Sequence, residues 1–204
     1  MRAVHPLAAD ERRAQVALYS ALTDGEWDAP SLCAGWSVRD VLAHTTMPFR
    51  WSVPRMLLGV VRARGSFDRF ADRTARDDAA ALSQGELVAC LAAHVENPWS
   101  PPGGGPLGAL SHDVIHGLDV ALALGRDECV SPERATAVLT AMRPEHLRSF
   151  GTSIDGLRLV ATDTGPVRGE GDEVRGRAMH LLAAVCGRRV PAGALTGPGA
   201  ARLA

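Results

Sequence analysis

The sequence predicts a mainly α fold, a four-helix bundle over residues 1–150 followed by a small β-β-α appendage over residues 151–204. Three observations carry this. Hydrophobic residues make up 46% of the chain but aromatics only 4%, so Ala, Leu and Val must fill the core, a mix that favours helix over a β-sandwich. Apolar residues recur at helical spacing between breaks rich in Gly and Pro. After Gly151 the pattern turns from helical to partly alternating.

Residues 7 to 24 are expected to form the first helix, with Leu7, Val16, Leu18 and Leu22 on a partial apolar stripe. The run DGEWDAPSLCAGW is a loop by its Gly, Pro and Asp content. Ser37 with Asp40 three residues on is a capping-box-like start for a second helix, VRDVLAHTT. Pro48 and Pro54 are expected to kink or end it before a further helix at about 55 to 63. The charged run RGSFDRFADRTARDD is assigned to a surface connection. Ser83 with Glu86 opens another helix, stopped by Pro98, and NPWSPPGGGP is a loop. A helix over about 107 to 124 ends at Gly125. Ser131-Pro132 then starts one more as N-cap and N1, running to about residue 150. Beyond Gly151, GLRLVATD is a strand, TGPVRGEGDEV a turn and second short strand, and RGRAMHLLAAVCG a helix stopping at Gly187. No internal repeat is present.

Charge excludes some classes of function. A net charge of −1 leaves no electrostatic footprint for nucleic acid or an anionic membrane. All 22 basic residues are arginine, which rules out a Schiff-base or phosphate-binding lysine. Cys33, Cys90, Cys129 and Cys186 show neither a C-x-x-C pair nor a disulfide framework. The N-terminal stretch lacks a long apolar segment, so a cytoplasmic protein with reduced thiols is expected.

The segment SHDVIHGLDV carries the chemistry. His112, His116 and Asp119 stand at i, i+4 and i+7 and share one helix face. Two imidazoles one turn apart can bind one metal ion together. His44, late in the second helix, is the candidate third ligand, since facing helices of a bundle commonly build metal sites. Three protein ligands leave a fourth position open for water or substrate.

The run LCAGWSVRDVLAH, followed much later by HDVIHGLD, resembles the DinB-like metal-binding bundle and, more narrowly, the mycothiol-dependent maleylpyruvate isomerase family. Gly35-Trp36, Asp40 and His44 arrive together at that family's intervals, and GLRLVATD…GEGDEVRGRAMHLLAAVCGR…ALTGPG resembles its short C-terminal segment. The resemblance implies a divalent metal, zinc first and nickel also compatible, held by His44, His112 and His116, with mycothiol as thiol cosubstrate. It implies a thiol S-transferase or a maleylpyruvate-type cis-trans isomerase acting on a small-molecule electrophile, as a monomer or homodimer. Many members carry Glu where this chain has His112, and an Arg where it has Gly117; these departures bear on the substrate and leave the metal site intact. Asp119 is expected behind the ligands, accepting a hydrogen bond from a ligand's other ring nitrogen.

Two other readings compete: a non-catalytic metal-containing bundle that binds a small ligand, and a metal-dependent hydrolase. Cys33 reads as a small loop residue more than a nucleophile, and Trp36 as an anchor of its loop. His94 reads as a core or cap residue. His5, His146 and His180 lack a partner at useful spacing. GEGDEVRG reads as a β-turn, and Arg168 and Arg175 as surface cations within reach of an anionic substrate.

Overall fold

The four-helix bundle is built from helices far apart in sequence. A computed structural model of the chain describes residues 6–104 and 107–203; His5, Gly105 and Pro106 lie outside the described residues. Helix α1 (Pro6–Ser20) leads, and the short α2 (Asp24–Trp27) follows. Then come α3 (Val38–Arg50), α4 (Val53–Arg62), α5 (Phe67–Ala81), α6 (Gln84–Ala93) and α7 (Gly108–Ala121). Helices α1, α6, α3 and α7 close a ring, α1 packing on α6 and α7 and α3 on the same two. Helix α5 covers the outer side of α3, and α4 lies on α5.

Local chemistry explains where these helices begin. Ser37 Oγ accepts from the Asp40 backbone N–H at 3.2 Å, and Asp40 Oδ2 accepts from the Ser37 backbone at 2.8 Å. Ser83 and Glu86 reciprocate in the same way at the start of α6, at 3.2 and 2.8 Å, satisfying N–H groups that a helix start leaves bare. The close approach of α1 to α7 requires Gly117, where a Cβ would stand 2.6 Å from Gln15 Nε2 and from Glu11 Oε1. Position 117 therefore faces α1, and a side chain there would have to displace Gln15 and Glu11.

Besides α2, which lies inside the run DGEWDAPSLCAGW expected to be a loop, four sequence expectations are corrected. Pro48 does not end α3, which runs on to Arg50. Pro48 lacks the N–H that would bond the His44 carbonyl, but the far end of the helix is tied down: Arg50 Nη2 donates to the Ala43 carbonyl at 2.7 Å and Nη1 to Asp78 at 2.6 Å. The charged run after Arg64 is not a connection but α5, whose buried face is Phe70, Ala71, Thr74, Ala75 and Ala79. Small residues give that stripe little contrast against its charged neighbours. The helix expected over 131–150 divides into α8 (Pro132–Ala141) and α9 (Pro144–Ser149), because Arg143, before a proline, is extended at φ −100° and ψ 160°.

The fourth correction concerns the appendage, which holds three strands where two were expected: β1 (Leu157–Ala161), β2 (Gly165–Arg168) and β3 (Asp172–Gly176), in the order β2-β1-β3. Strand β1 pairs antiparallel with β2 and parallel with β3. The β2–β3 connection crosses the start of β1. Gly169 and Gly171 have φ of +85° and +118°, and a Cβ on them would stand 2.1 Å from the Leu157 carbonyl oxygen and 2.3 Å from that of Gly156. A glycine-rich run that reads as one turn is thus a crossing between two strands. Helix α10 (Ala178–Val185) is buried along its whole length and packs on α7, α8 and β1. One apolar core joins Leu42, Leu110 and Leu118 of the bundle to Leu139, Leu157 and Leu181. Among the described residues no helix is long and apolar enough to cross a membrane.

Candidate metal centre

Facing helices α3 and α7 bring three imidazoles together. Ring centroids lie 5.3 Å apart for His44–His112, 4.9 Å for His44–His116 and 5.0 Å for His112–His116. One donor atom from each ring lies within 4.8 Å of the others. Nitrogens bound tetrahedrally to one zinc stand about 3.4 Å apart, so small side-chain adjustments close the remaining distance. His44 is buried at 7% exposure, and the two α7 histidines are partly buried. Trp36, immediately before the α3 cap, lies over His44 at 4.9 Å and near His116 at 6.2 Å. Its indole N–H donates to Asp72 at 2.8 Å. Gly35 makes the preceding turn at φ +77°, and its carbonyl accepts from Arg76 at 2.7 Å. Trp36 thus anchors its loop and also walls the histidine cluster. On the other side Trp99 meets His112 at 5.2 Å, and Phe49 meets Trp99 at 6.4 Å.

Behind the α7 histidines stand two aspartates, one paired with the buried Arg12 and the other with the partly buried Arg188. Asp113 Oδ1 is 2.9 Å from His112 Nδ1, and Asp113 Oδ2 accepts from Arg12 Nε at 2.7 Å. Asp119 takes both arms of Arg188, Nε at 2.8 Å and Nη2 at 3.0 Å. Asp119 Oδ2 lies 3.4 Å from His116 Nδ1, an ion-pair distance, and that nitrogen makes no hydrogen bond. The sequence reading selected Asp119 and missed Asp113, Arg12 and Arg188. Asp113 adjoins a histidine, a spacing that on a helix normally points two side chains apart, and the arginines come from 101 and 69 residues away.

Burial, with the neighbouring His116 and His112, holds His44 well below the usual histidine range. Burial likewise lowers His116, against the opposing pull of Asp119. Neutral imidazoles are the form that binds metal. Asp119 is itself held below the usual carboxylate range: burial alone would raise it, and the hydrogen bonds from Arg188 outweigh that. Cys33 lies beside this group, its thiol within 4.8 Å of donor atoms of His116 and Asp119. Burial, reinforced by Asp119, pushes that thiol up to about 11, so it stays protonated at neutral pH and is a poor nucleophile.

The donor set fits a divalent cation. Three imidazole donors converge, and His44 Nδ1 is buried with no hydrogen-bond partner, an arrangement that costs free energy unless something accepts the lone pair or the proton.

The remaining candidates lie elsewhere. His94 is the C-cap of α6, its Nδ1 2.7 Å from the Cys90 carbonyl and its ring stacked on Phe49 at 4.8 Å. His146 Nδ1 accepts from the Arg143 backbone at 3.2 Å. His180 is buried, its Nε2 3.8 Å from Asp127 and without a hydrogen bond. Arg168 is turned to the Leu139 and Met142 carbonyls at the end of α8, and Arg175 pairs with Glu173 at 2.5 Å; both are engaged away from the histidines. All four cysteines are free.

Comparisons with known proteins address the family and the fold. Residues 8–121 match the family described as mycothiol maleylpyruvate isomerase N-terminal domain. No curated protein matches the chain in sequence. Among solved structures, the chain is similar in fold to the crystal structure of a mycothiol-dependent maleylpyruvate isomerase, with TM-score 0.57 and 14% identity over 95% of this chain and 91% of that one. It is similar also to a histidine-to-alanine mutant of such an isomerase, with TM-score 0.53 and 13% identity over the same shares. At those identities the likeness establishes the fold, and the family rests on the sequence match. That match spans more than half of the chain and takes in α3 and α7 with all three clustered histidines, and by it this protein belongs to the mycothiol maleylpyruvate isomerase N-terminal domain family.

Proposed function

We propose that this protein is a divalent-metal enzyme in which His44, His112 and His116 hold one ion, zinc in the simplest case and nickel as a compatible alternative, and mycothiol is the thiol cosubstrate. The observation that carries this is the convergence of the three imidazoles, with donor atoms within 4.8 Å, inside the helices that match the family. A divalent ion held by these three imidazoles would supply the positive charge that stabilises a thiol as thiolate at neutral pH. The chain's own residues do the rest. Trp36 packs over His44 and with Trp99 gives the cluster an aromatic wall that limits water. Asp119 and Arg188 brace the α7 face below His116. Cys33, held protonated, does not compete as nucleophile.

The reaction class is addition of the mycothiol sulfur to a small electrophile, released again in a cis-trans isomerisation or retained in an S-transfer. The division of labour follows the chain: residues 1–150 carry the ligands, and 151–204 brace them through Arg188 and α10.

Cobalt substitution tests this reading. Cobalt is expected to bind at about one per chain, and mycothiol to add a sulfur-to-metal charge-transfer band that strengthens as pH rises, because the thiolate is the ligand. The Cys33→Ala variant is expected to keep the band. Stoichiometric cobalt whose spectrum ignores mycothiol overturns thiol dependence, and failure to bind cobalt overturns the metal assignment.

A further inference from the structure

Of the three clustered histidines, His112 alone has a ring nitrogen in a short hydrogen bond to a carboxylate. Neighbours in sequence leave a helix about 100° apart, yet His112 Nδ1 and Asp113 Oδ1 meet at 2.9 Å. Asp113 stays there because it is held from behind. Its Oδ2 accepts from Arg12 Nε at 2.7 Å, and its own backbone carbonyl accepts from Gln15 Nε2 at 2.6 Å. Arg12 is itself fixed: its side chain is wholly buried, and Nη1 donates to the carbonyls of His94, Val95 and Asn97 at 3.3, 3.2 and 2.7 Å, just beyond α6. A buried guanidinium with four acceptors cannot swing away without stranding its charge.

Those contacts decide where a hydrogen sits. A guanidinium has only donors, so Asp113 Oδ2 accepts from Arg12 and carries no hydrogen of its own toward it. The hydrogen between Asp113 and His112 therefore belongs to His112 Nδ1, and in the neutral ring Nε2 is left bare. We propose that Arg12 and Asp113 are positioning residues that set the tautomer of His112, keeping its hydrogen on Nδ1 and its lone pair on Nε2 for the three-histidine centre. His116 and His44 lack this device, since neither Nδ1 makes a hydrogen bond. The inference rests on the metal reading for its purpose, but the tautomer itself is a property of the metal-free chain.

The test is nitrogen NMR of the metal-free full chain labelled in histidine, with the His112 signal assigned by its loss in His112→Asn. The neutral ring is expected to carry its hydrogen on Nδ1. In Asp113→Asn the single amide oxygen is taken by the Arg12 Nε–H, which turns the amide NH2 toward His112 Nδ1, so the ring is expected to switch to the Nε2–H tautomer. Removing Asp113 alone strands Arg12 and invites misfolding, so the decisive variant is the double change Arg12→Met with Asp113→Leu, which removes both charges and fills their space. In it His112 is expected to move toward the Nε2–H form that free imidazole prefers, and zinc affinity to fall about 10–100-fold. An Nε2–H ring in the wild type, or an unchanged Nδ1–H ring in the double variant, overturns the proposal. If the wild type binds no zinc at all, the metal reading falls, while the tautomer measurement still decides this one.

Discussion

The two helices that face each other across the histidine cluster support their rings in opposite ways. On α7, His112 and His116 each stand near an aspartate, and each aspartate is held by an arginine from another part of the chain. On α3, His44 has no such partner; its Nδ1 is buried without a hydrogen bond, and Trp36 lies over its ring. One side is ordered by charge and hydrogen bonding, the other by packing. The lesson is that α7 is the frame of the site. Helix α3 brings a ring held in place by its neighbours, whose free nitrogen awaits a partner.

The largest effect that sharpens this comparison is loss of metal. His116→Ala and His44→Ala are each expected to drop zinc content from about one per chain to near zero by elemental analysis. Retention of metal in either variant removes that residue from the ligand set and breaks the comparison on that side.

Next in size is the frame itself. Asp119→Ala leaves Arg188 half-enclosed with no carboxylate, and unfolding stability is expected to fall by about 3–5 kcal/mol, the usual consequence of stranding one partner of a buried pair. Urea denaturation of the metal-free protein measures it, so that lost metal does not contribute. A loss no greater than that of an ordinary surface substitution contradicts the claim that charge holds this side.

A smaller effect is expected on the packed side. Trp36→Phe keeps a ring over His44 but removes the hydrogen bond to Asp72, costing about 1 kcal/mol. A cobalt spectrum altered more by Trp36→Phe than by Asp119→Asn would mean that packing, not the α7 frame, controls the site.

The smallest effect comes from a control just beyond the end of α7, where Arg126 pairs with the partly exposed Glu26 at 2.6 Å. The hydrogen bond from the Thr23 backbone, then that from Arg126, lowers Glu26 to about 2. A lowered carboxyl stabilises the fold above its unfolded pKa, and that contribution fades as pH falls toward the folded value. The urea-midpoint difference between wild type and Glu26→Gln is therefore expected to be small at pH 7 and to shrink between about pH 4.5 and about 2. A gap as large as that of Asp119→Ala would mean that burial is not what separates these pairs.

What was legible in the sequence is what local chemistry determines. The caps at Ser37 and Ser83, the helical spacing of His112 and His116 and the mainly α class all follow from residues a turn or less apart, and the structure contains each of them. His44 joined the set through the wording of its motif; spacing could not place α3 against α7. Helix α5 was hidden because its buried stripe is mostly alanine, and the third strand because its glycines serve a crossing visible only once β1 is in place. Most of all, the tertiary fold decided the roles of Arg12, Asp113 and Arg188. A buried ion pair between residues 101 or 69 positions apart leaves no periodic trace, because it depends on which surfaces the core presses together and not on neighbours along the chain.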